Sequence, residues 1–415
     1  MNRPRVVVTG IGAITPLGAS IPQFWGGLVA GASGIRNITR FDASGLPCQI
    51  AGEIPDFNAE DYIERKEIRR MGLNAQIALA AAVQAARDAG LPETMPDPER
   101  AGIAFGTGMG GLDIIDLNVQ ILRTKGFERV SPFALPGGIP NLAAFAISQR
   151  LKLIGPSITI ATACATGTQA IGEGVELIRR GSADLVITGG TEALISDLAI
   201  AGFAAMRALP VNYNHSPTRA SRPFDLNREG FVFSEGAGAL VLESLEHAER
   251  RGARIYVEIA GQASSADGYH LAALDPEAAG PIRAMHWALQ DAAVSPDEVD
   301  YINAHGTSTK INDFTETRAI KAVFGERAYR IPISSTKSMI GHAMGGAGAL
   351  EIIASVLTLY HGQIPPTINY ETPDPDLDLD YVPNETRWAN LHVILKNSFG
   401  LGGQNACLVL KGYQN

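Results

Sequence analysis

Residues 157–167 read Ser157-Ile158-Thr159-Ile160-Ala161-Thr162-Ala163-Cys164-Ala165-Thr166-Gly167. The β-branched run at 157–161 is a strand that leads straight into Cys164. A helix follows, with Ala170, Ile171, Val175 and Ile178 at helical spacing. Small residues (Ala163, Ala165, Gly167) flank the cysteine, as a sharp turn presenting a side chain requires. At a helix N-terminus the unpaired N–H groups and the dipole favour a thiolate. The same donors can hold a developing oxyanion. A free cysteine is more commonly a small core hydrophobe, and this stretch alone leaves both readings open.

The same strand-turn-helix pattern recurs outward from this elbow. Strands are expected at Arg5–Thr9, Ala101–Phe105, Leu185–Thr188, Ala239–Leu242, Ile255–Ile259, Ile331–Ser334 and Ala406–Lys411. Helices are expected at Asn74–Ala89, Ala165–Arg180, Gly280–Ala292 and Gly348–Tyr360. Alternation of this kind specifies an α/β fold with sheets covered on both faces. A helix at Leu245–Arg251 ends at Gly252, which divides the chain into halves 1–253 and 254–415. No Pro-, Gly- or Ser-rich linker separates them, so one body is expected. The acidic run Asp374–Asp380, after Pro-rich 365–375, reads as a solvated surface excursion.

Composition narrows the function classes. Of 415 residues, 46% are hydrophobic and 19% charged, which is ordinary globular usage, and the net charge is −9 at pH 7. That charge argues against nucleic acid or an anionic membrane as main partner. An acidic partner would need a local basic patch. No apolar run approaches the ~18 residues of a membrane span, and the opening Met1–Arg5 leads into a short strand rather than a signal-peptide core. Cys48, Cys164 and Cys407 are odd in number and lack metal-like spacing, which suits a reducing, cytoplasmic setting.

Two of the eight histidines sit in loops of small and polar residues that follow strand-like runs: Asn303-Ala304-His305-Gly306-Thr307-Ser308-Thr309 and Ser335-Thr336-Lys337-Ser338-Met339-Ile340-Gly341-His342. Strand-end loops are where α/β proteins carry chemistry. Cys164, His305 and His342 could be zinc ligands, but spacings of 141 and 37 residues lack the paired pattern of such sites. A nucleophile with neutral imidazoles fits better, and no metal is expected. Cys407 reads as a core residue of its strand. Between two apolar strands, Asn397-Ser398-Phe399-Gly400-Leu401-Gly402-Gly403-Gln404-Asn405 is either a hairpin turn or a mobile, closely approached loop. Gly106-Thr107-Gly108-Met109-Gly110-Gly111 fits the dinucleotide fingerprint. The required acidic residue at the end of a second strand is missing, since Glu128 falls in a loop-like stretch.

Taken in order, these motifs resemble the β-ketoacyl-acyl-carrier-protein synthases of the elongating type. The resemblance runs from Val6-Val7-Val8-Thr9-Gly10-Ile11-Gly12 to Asn397–Asn405. It includes Arg222-Pro223-Phe224-Asp225, Gly230-Phe231-Val232 and Glu235-Gly236-Ala237-Gly238. It implies a thiolase-like five-layered αβαβα fold of two similar halves, a homodimer, and no cofactor. It implies that Cys164 takes the acyl chain from acyl carrier protein, with its own N–H and that of Phe399 as oxyanion hole. His305 and His342 would stabilise the enolate formed by decarboxylation of malonyl carrier protein. Two histidines favour elongation, since the initiating branch uses His and Asn. Lys337, paired with Glu351, would support the site. Thr307 and Thr309 would bind the pantetheine arm, Phe399 would gate the tunnel, and Met109 and Phe203 would bind the acyl chain. Methionine is flexible, so Met109 implies room for medium to long chains.

The resemblance also supplies the basic patch: Arg65, Lys66, Arg69, Arg70, Arg129 and Arg207 match positions that contact the carrier protein, whereas one basic position of the pattern is Glu128 here. Three other readings remain. A type II polyketide ketosynthase shares these motifs. A non-catalytic chain-length factor lacks the nucleophile. A thiolase would need a second cysteine in a comparable glycine-rich loop.

Overall fold

The computed structural model describes residues 3–413. Val6–Ile14 (β1) is buried at all nine positions, as a strand covered on both faces must be. With Ala101–Thr107 (β2), Ser157–Ile160 (β3), Leu185–Glu192 (β4) and Gly236–Ser244 (β5) it builds a sheet in the order β3-β2-β4-β5-β1. Val257–Ala266 (β6), Tyr301–Asn303 (β7), Ile333–Ser334 (β8), Val393–Gly400 (β9) and Gln404–Gly412 (β10) follow in the order β8-β7-β9-β10-β6. The second order is the first with every strand advanced by five.

Strand senses repeat as well. In the first half β1/β5 and β4/β5 are antiparallel, while β2/β4 and β2/β3 are parallel. Their counterparts β6/β10, β9/β10, β7/β9 and β7/β8 follow the same senses. The duplication that sequence alone left unproven is thus explicit in the topology. The halves join edge to edge through a two-residue antiparallel ladder, Val7 opposite Glu258 and Val8 opposite Val257.

Five helices complete the layers: Leu73–Asp88 (α1), Thr166–Arg179 (α2), Ala279–Asp291 (α3), Lys310–Phe324 (α4) and Ala347–His361 (α5). α1 covers β1 and β5 from outside, α3 covers β6 and β10, and α2 and α5 pack on each other between the sheets. The result is the expected αβαβα arrangement. α5 is buried from Ala347 through Thr358, which is how a helix apolar on all sides must sit. Its one charge within that span is Glu351.

The expected helices fall within one residue of those observed, but several strands are longer than expected. Gly10 and Gly12 do not end β1; a Cβ at Gly10 would lie 2.2 Å from the Ala85 carbonyl oxygen. Glycine there lets α1 lie directly on the strand, so a residue read as a break is a packing contact. The acidic run is corrected too. Asp374, Asp378 and Asp380 pair with Arg228, Lys321 and Arg387, while Leu377 and Leu379 enter the core of the second half. It is a pinned strap rather than a free solvated face. Among the described residues no helix is long and apolar enough to cross a membrane.

Candidate active site

The chain leaves β3 at Ile160, makes a short 3₁₀ turn at Ala163–Ala165 and enters α2. Ala163 adopts φ +48°, a left-handed conformation that costs an L-residue about 1–2 kcal/mol. A Cβ at Gly167 would meet the Ala349 nitrogen at 2.6 Å, so glycine allows the first turn of α2 to rest on α5. Gly400 works likewise at the end of β9: its Cβ would lie 2.8 Å from the Thr162 oxygen and 3.3 Å from the Cys164 nitrogen. The segment that carries Phe399 is thereby drawn against the elbow.

Cys164 is 6% exposed. Burial pushes its thiol up to about 11, and the Leu401 N–H and the Lys337 charge offset only part of this. The thiolate expected from the helix N-terminus is therefore not the resting form. Removing the sulfur from water outweighs the local donors.

His305 follows β7, and His342 follows the turn 337–340 that comes after β8, so the duplicated topology brings equivalent strand ends to one place. The Cys164 sulfur and imidazole nitrogens of both histidines lie within 4.8 Å of one another. The rings stand edge to face, centroids 5.5 Å apart at 84°. Phe399 packs edge-on against His305 at 5.7 Å and Phe231 against His342 at 5.4 Å. Left-handed backbone recurs at Gly306, Ser308, Gly341 and Met344; glycine adopts it freely, while Ser308 and Met344 carry strain close to the site.

Both imidazoles are held neutral. Burial lowers each well below the ordinary histidine value, and the Lys337 charge adds to it. Lys337 Nζ donates to the His305 carbonyl oxygen at 2.7 Å and faces His305 Nδ1 at 3.4 Å. An ammonium has only hydrogens to offer, so Nδ1 is the lone-pair nitrogen and Nε2 carries the proton. Lys337 also pairs with Glu351, both fully buried. Sequence reasoning anticipated that pair.

Two further groups went unnoticed in the sequence. Glu316 on α4 accepts the His305 and Gly306 backbone N–H groups, each at 2.8 Å, and Asn397 Nδ2 at 3.2 Å. It clamps the first histidine loop to β9. Lys396 on β9 places a second ammonium 2.8 Å from the other Glu351 oxygen. An acidic residue seven positions after Thr309 and a lysine inside an apolar strand are the only sequence signals for these two.

A cavity of about 370 Å³ opens onto this cluster, lined by Cys164, Phe203, Arg207, Phe231, His305, Thr307, Thr309, His342, Met344 and Phe399, among others.

Comparisons with known proteins agree along the whole chain. Residues 3–248 match the model for the β-ketoacyl synthase N-terminal domain and residues 256–371 that for the C-terminal domain. This chain belongs to the β-ketoacyl synthase family. It is 48% identical over 414 residues to the 3-oxoacyl-[acyl-carrier-protein] synthase 2 of Synechocystis sp., covering 100% of this chain and 99% of that one. Identity to the protein of the same name from Staphylococcus aureus is 46% over 410 residues, 99% of each chain. Among solved structures, the ishigamide ketosynthase/chain length factor matches at TM-score 0.93 and 40% identity over 100% of both chains. A type II polyketide ketosynthase in complex with its acyl carrier protein and bound to the hexaketide matches at TM-score 0.91 and 37% identity, again over 100% of both.

Within this β-ketoacyl synthase the remaining expected site residues are spread out. Thr307 and Thr309 share a hydroxyl hydrogen bond of 2.9 Å at the cavity wall. Phe203 lines the cavity and packs edge-on against Phe231 at 5.2 Å. Met109 joins the same apolar cluster as Cys164 without lining the cavity. Arg207 is exposed at the cavity, and Arg129 is exposed on a short turn. Lys66 lies in the short helix Arg65–Ile68 and Arg69 and Arg70 follow it; Lys66 pairs with Glu64 at 2.7 Å and Arg70 with Glu67 at 3.0 Å. The patch is thus partly neutralised by its own acids.

The dinucleotide-like glycine loop has another occupant. Its Gly108 and Met109 N–H groups donate to the buried Glu192 carboxyl group at 2.8 and 3.3 Å, so an internal side chain fills the cradle. Burial pushes Glu192 up to about 7. The Gly400–Gly403 stretch proves to be both a hairpin turn and a close approach. Cys407 is a core residue. Cys164, His305 and His342 could reach a soft cation, but buried Lys337 and Lys396 set two ammonium charges beside them, which opposes a dication.

Proposed function

We propose that this chain is an elongating 3-oxoacyl-[acyl-carrier-protein] synthase of fatty acid synthesis, an acyltransferase that condenses malonyl-acyl carrier protein with an acyl chain held on Cys164. The convergence of the buried thiol with two neutral imidazoles in one cavity carries this reading. In the first step Cys164 sulfur attacks the acyl thioester. The thiol proton ends on the departing carrier thiol, and the N–H groups of Cys164 and Phe399 hold the oxyanion.

Malonyl carrier protein then binds with its thioester oxygen at His305 and His342. The carboxylate leaves as carbon dioxide, and its electron pair becomes an enolate held by two neutral N–H donors. Neutral imidazoles suit this task, because a protonated one would give its proton to the enolate. The enolate attacks the acyl-Cys164 carbonyl, the 3-oxoacyl chain leaves on the carrier, and the Cys164 thiolate takes up one proton. Lys337 with Glu351 positions His305. Thr307 and Thr309 bind the pantetheine arm, and Met109 and Phe203 meet the acyl chain.

The partners are acyl carrier protein, approached through Lys66, Arg69, Arg70, Arg129 and Arg207, and a second copy of this chain. Phe145 and Ile154 are exposed beside β3, whose outer edge is unpaired among the described residues; a twofold partner would cover both. We divide the chain into halves 1–253 and 254–415 and place it in the cytoplasm. Incubation with acyl and malonyl carrier proteins should release carbon dioxide with a β-keto product, and Cys164→Ala should abolish condensation. Absence of both products from wild type would sink the reading. The likeness to polyketide ketosynthases supports a second reading, separated from the first by whether the product chain is reduced or carries successive keto groups.

A further inference from the structure

Lys396 is a fully buried charge near the cavity that the steps above do not use. It lies on β9 in the run Val393-Ile394-Leu395-Lys396-Asn397-Ser398, three residues before Phe399. Strand alternation sends Leu395 and Phe399 to the outer core and Ile394, Lys396 and Ser398 to the middle layer. Its ammonium meets oxygens: Glu351 Oε2 at 2.8 Å, Ser398 Oγ at 3.1 Å and the Asn397 carbonyl.

Each of these contacts leads to a different part of the site. The other oxygen of Glu351 holds Lys337, which in turn holds the His305 carbonyl. Ser398 Oγ shares a 2.7 Å hydrogen bond with Thr168 Oγ1 on α2, the helix that begins beside Cys164. Lys396 is therefore the point where the nucleophile's helix, the histidine support and the Phe399 strand are tied together. Stability is a poor reason for such a residue, because apolar replacements of buried ion pairs are often neutral or stabilising.

We propose that Lys396 is a positioning residue for decarboxylation: its ammonium fixes Glu351, so that Lys337 holds His305 in register with Cys164. This rests on the ketosynthase reading. The oxygen cage would also accept a free ammonium ion once the side chain is removed, since nothing in it requires the tether.

The test uses full-length Lys396→Met and Lys396→Ala, with Cys164 alkylation by iodoacetamide and carbon dioxide release from malonyl carrier protein as separate readouts. Lys396→Met should alkylate at the wild-type rate. Its kcat for decarboxylation should fall about 100-fold, the loss typical of a slight misplacement of reacting groups, with KM little changed. Lys396→Ala should regain part of its lost rate in ammonium chloride but not in tetramethylammonium chloride, whose cation is too large for the cage. Wild-type kcat in either variant, or a folded Lys396→Ala indifferent to ammonium, overturns the proposal. Failure of both variants to fold overturns it as well, since support of the fold would then suffice. A wild-type chain that releases no carbon dioxide brings down the ketosynthase reading and this inference together.

Discussion

Replacing Glu316 by Gln keeps the shape of the clamp on the His305 loop and reverses one of its ends. The carboxylate presents an oxygen to each of two buried N–H groups, those of His305 and Gly306, at 2.8 Å. An amide has one oxygen and one NH₂, so a buried backbone donor must face another donor. Leaving such a donor unsatisfied costs about 1–3 kcal/mol, and exchanging a charged acceptor for a neutral one roughly 1 kcal/mol more. The expected loss is about 3 kcal/mol. With an unfolding entropy near 2.1 cal/mol/K per residue over 415 residues, that is a fall of about 3 °C in Tm. Function should suffer more than stability, because the loop carries one enolate donor. Decarboxylation should drop about 100-fold while Cys164 alkylation stays within about twofold. Calorimetry and single-turnover carbon dioxide release check the two parts. If Glu316→Gln melts within 1 °C of wild type and decarboxylates normally, the clamp does not hold His305 and the reasoning fails.

Other outcomes follow from the same geometry. With the Cys164 thiol pushed up to about 11 by burial, alkylation should keep accelerating from pH 7 to pH 10; a plateau by pH 8.5 would mean that the helix N-terminus outweighs desolvation after all. His305 and His342 titrate well below their ordinary value when folded, so the unfolded chain binds more protons as pH falls below about 6.5. Stability should then decline by up to about 1.4 kcal/mol per pH unit for each histidine. Urea midpoints of wild type and a His305→Gln/His342→Gln double variant between pH 7 and pH 5.5 measure this, with the double variant declining less. Reversing Lys66 and Arg69 to Glu should weaken carrier-protein binding, read by titration calorimetry, and leave Cys164 alkylation unchanged; unaltered binding would remove them from the interface.

The elbow at Cys164 was readable because its signals are local. A β-branched strand, small residues at a turn and a helical repeat sit within about two dozen positions, and short-range backbone preferences suffice to specify them. The histidine loops were readable for the same reason, and family resemblance supplied their order of action. What the chain could not announce is who meets whom across the core. Glu316 clamps a loop eleven residues back, while Lys396 meets Glu351 across 45 residues and Glu192 fills a glycine cradle 84 residues upstream. None of these partners has a periodicity or spacing that points to the other. Only the packed sheets bring them together.

Cys164 shows the division most plainly. Its sequence setting specifies a cysteine at a helix start, open between core residue and nucleophile, with a local bias toward thiolate. Its state is decided by the apolar cluster that closes over it, Phe203, Phe231 and Met344 among its members, and burial there raises the thiol's pKa instead. A dipole at a helix end is built from adjacent residues and can be read from them. Desolvation is the sum over everything that folds around the group, and it exists only once the chain has closed.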